Sequence, residues 1–79
     1  MKVKVLLFGQ AAEVFLSDEV FVLLNDKSGL FELKEKLHEK NEKLKTLNLK
    51  WAVNQELVNS QIELKDGDEI AVLPPFAGG

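Results

Sequence analysis

A single segment of this chain sustains a helical period, and that limits the fold more than any other feature. Leu30, Leu33 and Leu37 recur at helical spacing, with Leu44 two turns later. The pattern predicts one helix from Leu30 to near Lys43. Ser28 or Gly29 can cap it, and Glu32 stands three residues after Gly29, where a capping-box acid belongs. Glu32/Lys36 and Glu39/Lys43 stand four apart with the acid first, the order that supports a helix by about 0.2–0.5 kcal/mol per pair. One helix covers one face of a sheet and cannot flank both faces of a parallel one. The class is therefore α+β.

The rest of the chain reads mostly as short strands. In Met1–Phe8, Val3, Val5 and Leu7 share one face, while Lys2, Lys4, Leu6 and Phe8 share the other. A helical turn fits Ala11–Phe15, and Glu19–Leu24 is a second strand. Asn25-Asp26-Lys27-Ser28-Gly29 is a turn cluster before the helix. Trp51–Val53 and Glu56–Val58 are short extended pieces around Asn54-Gln55. Lys65-Asp66-Gly67-Asp68 is a tight turn, expected as a hairpin, and Glu69–Leu73 is the last strand, stopped by Pro74-Pro75. The first and last strands are the most apolar and belong at the sheet centre. The expected architecture is a β-grasp, or ubiquitin-like, mixed sheet with the main helix packed on one face. Residues 1–75 form the domain and 76–79 a flexible tail.

That architecture leaves apolar residues without cover. Leu6, Phe8, Phe21, Leu23 and Leu73 cannot share the helix-covered side with Val3, Val5, Val20, Val22 and Val72. They should form an exposed patch of the kind that marks an interface.

Composition removes several classes of chemistry. The 79 residues allow one domain, which buries only about 60% of its unfolded surface. There is no cysteine, hence no disulfide, thiolate nucleophile or cysteine metal site. The net charge is -3, and all ten basic residues are lysines interleaved with acids. Nucleic-acid binding is not expected. No apolar stretch is long enough to span a membrane, and no signal peptide is visible, so the expected location is cytoplasmic. His38, the single histidine, sits beside Leu37 among charged residues and reads as part of a wet helix face. Trp51 reads as a core or boundary aromatic. Asp66-Gly67-Asp68-Glu69 lacks the spacing of a calcium loop, and no metal site is expected. No phosphate-binding glycine motif is present.

The distinctive chemistry lies in Leu73-Pro74-Pro75-Phe76-Ala77-Gly78-Gly79. Two prolines stiffen the base, and Phe76 is apolar where a disordered end is more often polar. A glycine carboxylate carries no neighbouring Cβ and can enter a narrow tunnel. The stretch from Pro75 to Gly79 reaches roughly 16 Å when extended. Adenylation with ATP would activate such a carboxylate, and sulfur replacing the adenylate would leave a nucleophilic thiocarboxylate. The competing explanation is a frayed terminus.

These residues resemble the small, sulfur-carrying subunit of molybdopterin synthase, within the ubiquitin-like sulfur carriers. The resemblance covers nearly the whole length. It is carried by Val5-Leu6-Leu7-Phe8-Gly9-Gln10 with Glu13, Leu30/Leu33/Leu37, and Ala52-Val53-Asn54-Gln55-Glu56-Leu57-Val58. Leu64-Lys65-Asp66-Gly67-Asp68-Glu69-Ile70-Ala71 and Pro74-Pro75 before Gly78-Gly79 complete it.

The resemblance implies that an E1-like adenylyltransferase uses ATP to adenylate Gly79. A sulfur-donating enzyme then supplies the thiocarboxylate sulfur. The tail, with Ala77 and Gly78 behind Gly79, would enter the large subunit and pass sulfur to cyclic pyranopterin monophosphate. The implied complex is a heterotetramer with its catalytic side chains on the large subunit; this chain is no enzyme alone and holds no permanent cofactor. Phe8, Leu73, Pro75 and Phe76 are the expected partner contacts. Two departures from the family pattern stand out: Ala12 where an arginine is common, and Phe76-Ala77 where valine and a small hydroxyl residue are common. A carrier for thiamine or tRNA thiolation, a lysine-conjugated modifier, and a plain interaction domain are the alternatives.

Overall fold

The computed structural model describes residues 1–75. Five strands form one mixed sheet: β1 (Lys2–Leu7), β2 (Glu19–Leu23), β3 (Lys50–Val53), β4 (Glu56–Leu57) and β5 (Glu69–Leu73). A short helix α1 (Gln10–Phe15) lies between β1 and β2, and the main helix α2 (Leu30–Lys40) follows β2. The strand order is β2-β1-β5-β3-β4. The most apolar strands, β1 and β5, are interior as expected, and they run parallel, from Lys4 against Glu69 to Leu7 against Val72. The other pairings are antiparallel. This is the β-grasp arrangement.

The core follows from strand alternation meeting the helical period. Val3, Val5 and Leu7 of β1, Val22 of β2 and Ile70 and Val72 of β5 face α2, whose Leu30, Leu33 and Leu37 are fully buried. Leu44, Leu64, Trp51 and Val53 close the periphery of the same cluster. Among the described residues no helix is long and apolar enough to cross a membrane.

The main helix is shorter than its period suggests. It stops at Lys40 because Asn41 turns extended (φ -156°, ψ 110°). The Asn41 side chain accepts from the Lys43 amide at 3.0 Å and donates to the Val14 carbonyl at 3.0 Å. An asparagine that finds local backbone partners competes with the helix. A 3₁₀ turn, Glu42–Thr46, still delivers Leu44 to the core.

The expected ion pairs do not form among the described residues. The Glu32 carboxylate instead accepts from the Gly29 amide at 2.7 Å and from Gln61 Nε2 at 2.8 Å. It closes the capping box and ties the helix start to the loop before Leu64. Lys43 lies beyond the break at Asn41, so it no longer shares a helix face with Glu39.

The turn at Lys65–Asp68 feeds β5 but is not a hairpin between strands. Gly67 takes φ +86°, which a side chain rarely adopts, and its amide donates to the Lys2 carbonyl at 2.9 Å. Asp66 accepts from the Lys2 amide, and Asp68 accepts from the Lys65 amide, each at 2.8 Å. The acids of this segment are therefore occupied by backbone donors. The β3–β4 turn has positive φ at both Asn54 (48°) and Gln55 (73°), as a type I′ hairpin requires. Asn54 is fixed there by Asp68 Oδ1 at 3.0 Å and by the Glu69 amide at 3.1 Å.

Two outcomes follow. Leu37→Ala should lower the unfolding free energy by about 2–5 kcal/mol in urea denaturation, the range for truncating a fully buried leucine. The Gly29 amide and Gln61 hold the Glu32 carboxyl below its ordinary value. Its contribution is therefore present above the unfolded value and is lost as pH falls through the lower folded value. A melting-temperature series from about pH 6 to about pH 3 should fall less steeply in Glu32→Gln than in the wild-type protein.

Candidate functional site

The face of the sheet away from α2 has no covering element among the described residues. Register aligns one row across all five strands: Glu19, Leu6, Ala71, Ala52 and Leu57. Leu73 lies beside this row and pairs with Lys50. Leu6, Phe8, Leu57, Ala71 and Leu73, with Ala52, Gln55 and Glu69, line a shallow groove across β1, β5, β3 and β4. Phe8 is 45% exposed and Leu57 is 59% exposed, so the groove presents large apolar side chains to solvent. Phe21 and Leu23 extend the apolar surface toward the β2 edge, where Lys2 lies 5.1 Å from the Phe21 ring centroid. The patch expected from strand alternation is thus present, with Leu6 and Leu73 half-buried within it.

The chain leaves the sheet at one end of this groove. The Phe8 amide donates to the Val72 carbonyl at 3.1 Å, which continues the β1–β5 ladder one step past the strand. Pro74 has no amide hydrogen and cannot extend the ladder. It instead approaches Gly9, where a Cβ would stand 3.1 Å from Pro74 Cγ. Gly9 also holds φ +58°, ψ -131°, a region open to glycine alone. Phe8-Gly9 therefore forms a seat for the base of the tail, and Leu73, Pro74 and Pro75 are half-buried against the body.

Of the expected site residues, Phe8 and Leu73 line the groove together at this exit, and Pro75 follows two residues after Leu73, half-buried. Phe76, Ala77, Gly78 and Gly79 lie outside the described residues, as does the expected tail 76–79. Leu57, Ala52 and Gly9 belong to the site, although alternation in the long strands did not flag them. A two-residue turn at Asn54-Gln55 puts Leu57 opposite Ala52, and that signal was present in the sequence. The close approach of Gly9 to Pro74 joins two distant segments and leaves no local signal.

The body carries little else that is reactive. Burial, then the charges of Lys45 and Lys34, push the His38 imidazole below its ordinary value. Among the described residues no group of three or more His, Cys, Asp or Glu is placed to hold a metal. The arrangement can seat a partner on an apolar face beside the point where the chain leaves β5.

The chain matches the ThiS family over residues 5–79. The molybdopterin synthase sulfur carrier subunit of Dictyostelium discoideum is 40% identical, over 96% of this chain and 94% of that protein. The solved protein–protein complex of subunits 1 and 2 of molybdopterin-converting factor from Helicobacter pylori contains a chain with 34% identity and a TM-score of 0.72, covering 100% of both chains. SAMP1 of Haloferax volcanii covers 100% of both chains at a TM-score of 0.85 but 22% identity, and so bears on the fold alone.

The Gly9–Pro74 contact makes a specific prediction. Gly9→Val should destabilise the fold by about 1–3 kcal/mol through backbone strain, and should move the amide NMR signals of Val72 and Leu73. Unmoved signals at Val72 and Leu73 would mean that Gly9 does not seat the tail base.

Proposed function

The chain belongs to the ThiS family, and from that premise we propose that it is the sulfur-carrying subunit of a molybdopterin synthase, with the Gly79 carboxylate as its working group. The observation that carries this is the meeting of an uncovered apolar groove with the chain exit at Leu73–Pro75. A partner seated on the groove receives the following residues at its own surface. The identity to a named sulfur carrier subunit supports the role. The Helicobacter pylori complex of two subunits supports a larger subunit as the partner.

The chemistry follows from the carboxylate. An E1-like adenylyltransferase joins the Gly79 carboxylate to the α-phosphate of ATP, and pyrophosphate leaves. Sulfide-level sulfur, or a donor persulfide whose acyl disulfide is then cleaved by a thiol with formation of a disulfide, attacks the acyl carbon; AMP leaves, and the product is a thiocarboxylate whose anionic sulfur is a better nucleophile than the carboxylate oxygen. In the large subunit the sulfur passes to cyclic pyranopterin monophosphate, and two cycles install the two sulfurs of the dithiolene. Gly78 and Ala77 keep the approach slim, because side chains there are absent or a single methyl. The small subunit contributes binding energy and a positioned acyl group, while the large subunit contributes catalytic side chains. A cytoplasmic heterotetramer of two small and two large subunits is the corresponding assembly.

Two experiments test this. In a synthase reconstituted with the large subunit and activating enzyme, deletion of Gly79 should abolish sulfur transfer and leave the melting temperature unchanged. Transfer that survives the deletion would overturn the mechanism. Phe8→Ala and Phe76→Ala should each weaken binding to the large subunit by about tenfold by calorimetry, as truncation of a buried aromatic anchor does. Unchanged dissociation constants would remove these residues from the interface.

A further inference from the structure

We propose that a second groove, at the β3–β4 edge on the helix side, receives an acidic peptide segment of the same protein that covers the open face. This rests on the partner assignment made above. The groove is lined by Lys34, Leu49, Lys50, Trp51, Leu57, Val58 and Asn59. Leu57 lines both this groove and the open-face groove. A partner seated on the open face therefore has only the two-residue strand β4 to pass before it reaches Trp51 and Lys34.

The chemistry of the groove selects a carboxylate. The Lys34 ammonium lies 5.1 Å from the Trp51 ring centroid and 5.6 Å from that of Phe31. It is half-buried, and burial pushes its pKa down. Among the described residues no carboxylate lies within ion-pair distance of it. Two ring faces stabilise the cation in part, but they do not replace the water lost on burial. An incoming anion would. Leu49, Trp51 and Leu57 supply apolar walls, so the matching segment carries acidic side chains flanked by apolar ones.

Trp51 is the single tryptophan of the chain, so a 5-fluorotryptophan label places one ¹⁹F reporter in the wall of this groove. The labelled full-length protein is titrated with the large subunit of molybdopterin synthase, and binding is measured at low salt and at about 0.5 M salt. The ¹⁹F signal should shift on binding. Lys34→Glu should weaken binding about tenfold at low salt, with a smaller loss at high salt, and Lys34→Gln should fall between. Lys34→Gln carries the test if melting curves show that Lys34→Glu does not fold.

Wild-type affinity in both variants, or a motionless ¹⁹F signal, would overturn the second groove. If Phe8→Ala still weakens binding in that case, the open-face assignment stands without it. Equal, salt-independent losses in both Lys34 variants would indicate packing and would also overturn it. If the wild-type protein does not bind the large subunit, the partner assignment falls, and this inference falls with it.

Discussion

The parallel pairing of β1 with β5 holds the arrangement together. It joins Lys4 to Glu69 and Leu7 to Val72 at the centre of the sheet, although the two strands lie at opposite ends of the described chain. Because they run the same way, both leave the sheet at the same end. Phe8 and Gly9 follow β1 there, and Pro74 follows β5, so the base of the tail rests against the β1–α1 loop. Antiparallel pairing would send these two exits to opposite ends of the sheet. A parallel pair needs a long crossover connection, and the residues between β1 and β5 supply it together with the helix that closes one face.

That closure is one-sided, and the asymmetry divides the labour. On the helix side, Val3, Val5, Ile70 and Val72 meet Leu30, Leu33 and Leu37 and form the core. On the other side the same strands present Leu6, Phe8, Ala71 and Leu73 without cover among the described residues. A domain this small gains stability from burying apolar area, so leaving a row of it uncovered is a cost to the isolated chain. A partner covering the row, as proposed, would offset that cost. Under the proposed function the folded body serves as a handle for the main-chain carboxylate beyond it.

Much of this was legible in residue patterns, and the exceptions have physical causes. Period-two alternation located β1, β2 and β5 and predicted the uncovered face, because both faces of those strands carry apolar residues. The capping box at Gly29 and Glu32 was visible from spacing. The helix end was not, because Asn41 bonds to Val14, a residue distant in the chain. The Glu32/Lys36 pair failed because a backbone amide and Gln61 hold that carboxylate more closely than an exposed lysine would. The Gly9–Pro74 approach and the seat of Lys34 over Trp51 both join segments far apart in sequence, and no local pattern encodes them. The expected site residues Phe8 and Leu73 meet in the groove and Pro75 follows at its exit, while Phe76 to Gly79 lie outside the described residues.

Under the proposed function, the Gly79 carboxylate is the group that carries sulfur. Intact mass spectrometry tests it directly, after incubation of the protein with ATP, a sulfur source and its E1-like activating enzyme. The mass should rise by the difference between one sulfur and one oxygen, and the gain should be absent when Gly79 is deleted. No gain with an activating enzyme shown to be competent, or a gain that persists without Gly79, would contradict it.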